Sequence, residues 1–550
     1  MKTYIKYSCA AALIITVVFA VSSCGKKPIE LTGPLTSLND VKAYLESGHK
    51  RGFSSDKGSR PKIGSSSDRP LPLPVALKGG LGIMMDENSN WQKLMVIILK
   101  AGLFVNLDLS LCEMEANGVF DPFNESKSGE DYIVSLVLPN AAVYIQSKLY
   151  EAPLFYNFIL LKHISGKNVI SIESNVFAGL QNLMRVDFPT VEFIGDSCFF
   201  DCQKLRLADI PKVISIGEQA FSGTIITEAN FPQAEIIDKE AFRNCQSLKK
   251  ADLRNAQYIG DFAFNDCLNL ISLDLPQAGS IGNRAFYNCR KIEEISFPAS
   301  ARIGEELFLS CNSLVSFNLL GEGDLKVIED GKALVRNYNN EVVLLAYPCA
   351  EGEIEIKEIT KIESYAFAGA GMLVSVSFPL VSAMGEDVFS WCYNLESVNF
   401  PLLKKISRSA FQEIESLKIA GFPSALTIGE HAFKNCINLN DIDIPSVQYI
   451  ESEAFAVDSG DSSDSPLNIT FGNTAPNLGT SIFYGAQRII HVLVPQGANG
   501  YGKVPAIYEG DNNEQNWGNG LRGKGWDGHT GGYNVGAVNS DITINIIFIE

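Results

Sequence analysis

Apolar and polar positions recur along this chain with a period far longer than that of a helix or a strand. The stretch IGDFAFNDCLNLISLDLP, starting at Ile259, is followed 22 residues later by IGNRAFYNCRKIEEISFP and preceded 22 residues earlier by IDKEAFRNCQSLKKADLR. Twelve phenylalanines from Phe177 to Phe455 hold one phase, 22 residues apart except for one step of 21 and one gap of 59. Five residues before each stands Ile or Met, from Ile172 to Ile450, and after each comes a run such as LISLDLP or LESVNFP. A period in the twenties with L-x-x-L-x-L marks a leucine-rich repeat, one coil per repeat.

Within one coil, strand alternation turns Leu273 and Leu275 inward and leaves Ser272 and Asp274 facing out. Stacked coils then form a parallel sheet with rungs ~4.8 Å apart, and each inward position becomes a ladder of like residues. Phe and the preceding Ile fill the opposite wall. The Ile-Gly pairs at Gly260, Gly282 and Gly304 predict a tight turn with glycine at positive φ. The predicted fold is therefore an α/β repeat solenoid: a leucine-rich-repeat horseshoe with a parallel β-sheet on its concave face. Its convex face is expected to be mostly irregular or short-helical, with a cap at each end.

The same patterning divides the chain. Residues 71–168 read as an N-terminal cap, with one helix over Asn90–Gly102 and the first strands. Residues 169–456 carry the repeats. The 59-residue gap holds an expanded, degenerate repeat at about 321–358, whose Asp-Gly and Asn-Asn turns predict small hairpins. Residues 457–550 read as a final variant rung and a C-terminal cap. The stretch 24–70 is rich in Ser, Gly and charge around Ser47–Pro70, which predicts a flexible tether.

The first residues stand apart. A basic start, MKTYIK, precedes an apolar run from Cys9 to Val21 that is too short to span a bilayer, and the run ends in VSSC at Cys24. Residues 1–23 read as a signal peptide resembling that of a bacterial lipoprotein, with Cys24 as the lipidated residue; a plain secretory signal is the alternative. Gly25 after the cysteine resembles outer-membrane sorting in a Gram-negative envelope. Lys26 and Lys27 ahead of the first acid, Glu30, leave both the cell surface and the periplasmic face open. A net charge of −18 argues against nucleic acid as a partner.

The unit I-G-x-x-A-F-x-x-C-x-x-L-x-x-L-x-L-P resembles the BspA-type (Treponema-type) leucine-rich repeats of bacterial surface proteins. The resemblance implies a solenoid used for binding or adhesion to a protein partner of a host or of other bacteria. It implies no catalytic residues and no cofactor.

Candidate chemistry is sparse. Seven cysteines (Cys202, Cys245, Cys267, Cys289, Cys311, Cys392 and Cys436) lie three residues after the register Phe. They recur once per coil rather than clustering as metal ligands do, so they read as buried free thiols acting as small hydrophobes. Cys198 and Cys202 form the one close pair. The G-x-G-x-x-G at Trp517–Gly525 and the acidic run Asp458–Asp464 both read as loops. With five scattered histidines and no nucleophile motif, no catalytic or metal residue is assigned. The candidate binding surface is the outward strand column: Asp187, Asp209, Asp252, Ser272, Asp274 and Asp443. Trp517 and Trp526 are candidates for glycan contact. A glycan-binding or glycan-degrading envelope enzyme and a periplasm-facing scaffold are the alternative functions.

Overall fold

The computed structural model describes residues 33–50, 64–84, 86–114, 117–122, 129–146, 153–458, 465–479, 481–484, 488–498 and 544–549. From Leu35 onward the chain winds as a parallel β-solenoid of about 16 turns. Each repeat contributes two strands. The longer one, such as Ser272–Asp274, joins a long-strand wall, and a two-residue strand such as Tyr258–Ile259 joins a second wall. In both walls successive coils pair in parallel and in register, Leu273 beside Ala251 and Ile295, and Ile259 beside Ile237 and Ile281.

Between these walls the chain turns through the register phenylalanine, on a face that is irregular rather than short-helical. In nearly every coil the residues two before and two after the Phe take left-handed backbone: Phe262 and Asp266 at φ 56° and 60°, Arg284 and Asn288 at 50° and 59°. That alternation prevents a helix. It also turns every second N–H toward the next coil, so Phe262, Phe264 and Asp266 donate to the carbonyls of Asn283, Ala285 and Tyr287 at 2.8–2.9 Å. The coil is thus stitched along a third line without any regular secondary structure.

The glycines after the Ile serve a different purpose from the one expected. Gly260, Gly282 and Gly304 do not adopt positive φ. A methyl group on any of them would sit 2.5 Å from the backbone nitrogen of Lys239, Asp261 or Asn283 in the preceding coil. They permit close approach of neighbouring coils.

The interior is a column of rings. Phe242, Phe264 and Phe286 stack at centroid separations of 5.2 and 5.7 Å, and Phe389, Phe411 and Phe433 at 5.1 and 5.2 Å. Ring stacking adds to the burial of large apolar area, so the array rather than any one repeat is the folding unit.

The expanded segment forms a three-stranded antiparallel meander, Leu325–Ile328, Ala333–Tyr338 and Glu341–Ala346. It interrupts both walls and divides the interior in two. Leu334 and Ala346 belong to the core of the preceding coils; Ala333, Val335 and Tyr347 belong to that of the following ones.

At the N-terminal end, helix α1 spans Leu38–Lys50 and α2 spans Asn90–Ala101. Ser89 caps α2 by accepting from the N–H of Gln92, and Gly102 ends it in left-handed backbone. Helix α1 lies inside the stretch predicted to be a tether. Ser37 caps it, and Val41 and Leu45, one turn apart on a single face, are fully buried in the solenoid core. Composition averaged over 24–70 hid this narrow apolar stripe. Leu35 also bridges to Val75, and Lys162 pairs with Asp68 at 2.8 Å, so the described residues of that stretch are docked. The signal sequence 1–23 and Cys24 lie outside the described residues.

Candidate functional site

The outward positions of the long-strand wall are built by alternation: in Ser272–Asp274 the central Leu273 is 2 % exposed while both flanking side chains reach solvent. The register brings Asp274 beside Asp252, and Ser272 beside Lys250 on one side and Glu294 on the other. It also brings Asp209 beside Asp187.

These residues do not form one continuous ladder. The wall consists of three sheets, of six, five and eight strands. Asp187 and Asp209 lie in the first, Asp252, Ser272 and Asp274 in the second, and Asp443 in the third. The first break falls between the strands of Asp209 and Asn230, where the step from Phe221 to Phe242 is 21 residues and the strand enters one position early. The meander makes the second break.

Each group has its own electrostatics. Asp187 takes a charge-assisted bond from Arg185 at 2.7 Å and lies 3.7 Å from His163. Partial burial, and then the hydrogen bond and like charge of Asp187, push the Asp209 carboxyl above its ordinary range. Burial lowers His163 in spite of Asp187. Asp252 is held below the usual carboxylate range by Arg254, whose guanidinium grips it through two bonds of 2.9 and 2.6 Å. Asp443, between Gly421 and Thr470, is raised by desolvation alone. Beside it runs a relay the sequence did not announce: Asn468 donates to Asp441 at 2.9 Å, and His491 Nδ1 lies 3.0 Å from the Asn468 side-chain oxygen. Its only signal was that these residues occupy the same strand position on three successive rungs.

The register cysteines are free and buried, as are Cys198 and Cys202. Each register thiol donates to the carbonyl of the Phe in the preceding coil, for example Cys289 to Phe264 and Cys436 to Phe411, at 2.9–3.2 Å. Burial pushes Cys202, Cys245, Cys311 and Cys436 up to about 12. No group of three or more His, Cys, Asp or Glu among the described residues could hold a metal ion. A cavity of about 280 Å³ opens beside the meander, between Arg302, Asp324 and Arg336. Trp517, Trp526 and residues 459–464 of the acidic run lie outside the described residues.

A parallel solenoid of phase-locked coils with a uniform interior and a varied outer face defines a repeat protein. The BspA type leucine rich repeat region matches six copies over residues 130–249, 214–331 and 347–460, and the chain belongs to that family. Among solved structures it is similar to a leucine-rich cell surface protein from Faecalibacterium prausnitzii A2-165, at 25 % identity over 58 % of this chain and 83 % of that one, with a TM-score of 0.46. It is also similar to a leucine-rich repeat protein from Bacteroides ovatus ATCC 8483, at 22 % identity, covering 61 % and 84 %, TM-score 0.41. The pneumococcal vaccine antigen PcpA matches at 17 % identity, covering 66 % and 79 %, TM-score 0.41. No curated protein matches. Among the described residues no helix is long and apolar enough to cross a membrane.

Proposed function

We propose that this chain is a lipid-anchored envelope protein that binds a protein partner on its long-strand face. The observation that carries the reading is the contrast between the two sides of each strand. Inward positions repeat Leu, Ile, Val, Ala or Phe, whereas outward ones change charge and size from rung to rung, as at Lys250, Ser272 and Glu294. Uniform interiors are what stacking requires; variation outside is what recognition of an irregular protein surface requires. Asp187, Asp209, Asp252, Ser272, Asp274 and Asp443 are the proposed contact residues.

In this reading residues 1–23 are a cleaved signal, Cys24 carries the lipid, and the two helices near residues 38–101 cap the first coil. The coils curve as a horseshoe, with the contact face on the inside, and residues 457–550 close the far end. Display at the cell surface rests on the lipoprotein-like start and on the family's association with bacterial surfaces.

The test combines topology and contact. Protease treatment of intact cells should cut the chain, and Cys24→Ala should abolish radiolabelled palmitate incorporation. A photo-crosslinker at Ser272 or Asp274 should capture a protein that the same crosslinker at Tyr258, on the second wall, does not. Protection until lysis would remove surface display, and equal capture from both walls would remove the assignment of the face.

A further inference from the structure

Just after the meander, where the turns lead into the long-strand wall, three large side chains are exposed: Met372, Trp391 and Tyr393, at 68, 40 and 63 %. They belong to neighbouring coils. The Asn394 side chain donates to the carbonyl of Gly371 at 2.6 Å, which sets Tyr393 beside Met372 across that bond. Trp391 occupies the turn position two residues after the register Phe, with φ at 63°.

That position makes no demand for tryptophan. Other coils fill it with Asp266, Asn288, Ser310 or Asn435, short polar residues suited to left-handed backbone. A bulky residue is disfavoured in that backbone. Trp391 leaves two-fifths of its surface in solvent, and among the described residues no aromatic ring stacks on it. A large indole left partly exposed in a left-handed turn, beside exposed Tyr393 and Met372, offers an apolar surface to something outside the chain.

The surroundings set the chemistry of the partner. At the same two positions in the next coil stand Glu413 and Glu415, both exposed, and among the described residues neither forms an ion pair. On the other flank Glu351 is already paired with Lys332 at 3.2 Å. Among the described residues the Glu413 carboxylate accepts only the neutral Gln412 amide, at 3.3 Å. Trp, Tyr and Met are the types enriched at the centres of protein interfaces, and an indole face beside two exposed carboxylates attracts a guanidinium or ammonium group.

We infer that this ridge docks a basic, apolar protein segment: an aromatic or aliphatic side chain seated on Trp391, Tyr393 and Met372, flanked by Arg or Lys facing Glu413 and Glu415. Met372 opens the strand Met372–Ser377 of the long-strand wall, so the ridge adjoins the far half of that wall and lies in a different sheet from Asp252 and Asp274.

The experiment pans a phage-displayed random dodecapeptide library against the full chain. Selected peptides should pair Arg or Lys with aromatic or aliphatic residues. Affinity for the synthetic winner should fall about tenfold or more in Trp391→Ala and in Tyr393→Ala. It should weaken with salt and in the double variant Glu413→Gln, Glu415→Gln, and stay unchanged in Asp252→Asn, Asp274→Asn. Trp391→Asn should lose the peptide while the chain stays folded, as read by circular dichroism. Selection of acidic peptides or of none, or binding within twofold of wild type in Trp391→Ala, would each overturn the assignment. So would a dimer that Trp391→Ala dissociates, which would make a second copy the occupant. Binding of a glycan array that depends on Trp391 would replace the peptide with a sugar.

Discussion

The thiol of Cys267 donates to the carbonyl oxygen of Phe242 at 3.2 Å, and that same carbonyl accepts the backbone N–H of Cys245 at 3.1 Å. One coil's cysteine therefore completes the bonding of the previous coil's turn, and the motif propagates along the solenoid. Removing the donor leaves a buried carbonyl half-satisfied and a small void. Cys289→Ala should cost about 1–2 kcal/mol. Cys289→Ser keeps a donor and should cost less; Thr224, at the same position of its own coil, already buries a hydroxyl there, bonded to Phe221 of that coil. Urea denaturation of the three proteins makes the comparison, and equal losses for Ala and Ser would show that the bond contributes nothing.

The buried thiols also predict an alkaline limit. Burial holds Cys202, Cys245, Cys311 and Cys436 at about 12 in the fold, against an ordinary value of 9.0. A group raised by folding lends its full stability below the unfolded value and loses it as pH climbs through the folded one. The window is therefore pH 9 to 12, and each such thiol tilts stability by about 1.4 kcal/mol per pH unit within it. Stability should drop steeply above pH 9, and the slope should lessen as these cysteines are replaced by Ser. A flat profile to pH 11 would contradict the burial of these groups.

Much of this fold was legible because repetition forces each inward position to be filled by like residues: the Ile, Phe and Leu ladders could be read before any coil was seen. The meander was legible too, since Asp-Gly and Asn-Asn turns break the period. Helix α1 was not, because Val41 and Leu45 are a thin apolar stripe in a polar stretch. The close approach at Gly282 and the left-handed Arg284 depend on how coils meet, which no single repeat encodes. Of the candidate face, alternation supplied the outward direction of Asp274. The pairing of Asp209 with Asp187 and Arg185 required knowing where the ladder breaks. Outward residues are unconstrained by folding, so their chemistry carries no periodic signal.

The meander gives each half of the solenoid its own core, which predicts two unfolding steps. Phe286 belongs to one core and Phe411 to the other. Phe286→Leu and Phe411→Leu should each cost about 1–2 kcal/mol, and in a nearest-neighbour array each loss should stay in its own half. Hydrogen exchange by mass spectrometry under rising urea should show protection lost early on one side of residues 325–346 in one variant and on the other side in the second. Uniform loss along the whole chain in both variants would mean that the meander couples the cores rather than dividing them.

Asp209 is a cost the fold bears on its outer face. Its carboxyl is raised above 3.8 by burial and by Asp187, so its contribution is lost as pH rises through the folded value, and at neutral pH it weighs against folding. Asp209→Asn should raise the melting temperature at pH 7 by about 1 °C, and the gain should fade as pH drops toward about 3, where the carboxyl is protonated in both the folded and the unfolded chain. A melting series from pH 3 to 7 decides it; a gain that persists at pH 3 would mean the side-chain amide acts by some route other than charge.

Arg488 should be the weak point of the far end. It is 7 % exposed, and its guanidinium donates to the carbonyls of Ile437 and Leu439 at 3.0 and 2.8 Å and of Cys436 at 3.3 Å, some fifty residues earlier. These carbonyls lie at the turn of the coil of Phe433, so one side chain ties the strand Ile490–Pro495 back across the intervening rung. Arg488→Met fills part of the space but leaves the carbonyls without their donors, at a cost of about 2–4 kcal/mol. Because coils contact only their neighbours, the loss should be local. Exchange should quicken from about residue 467 onward while the coils of Phe264 and Phe286 keep their protection. Unchanged exchange at the strand Leu467–Thr470 would show that apolar packing alone holds this end, with Arg488 a passenger.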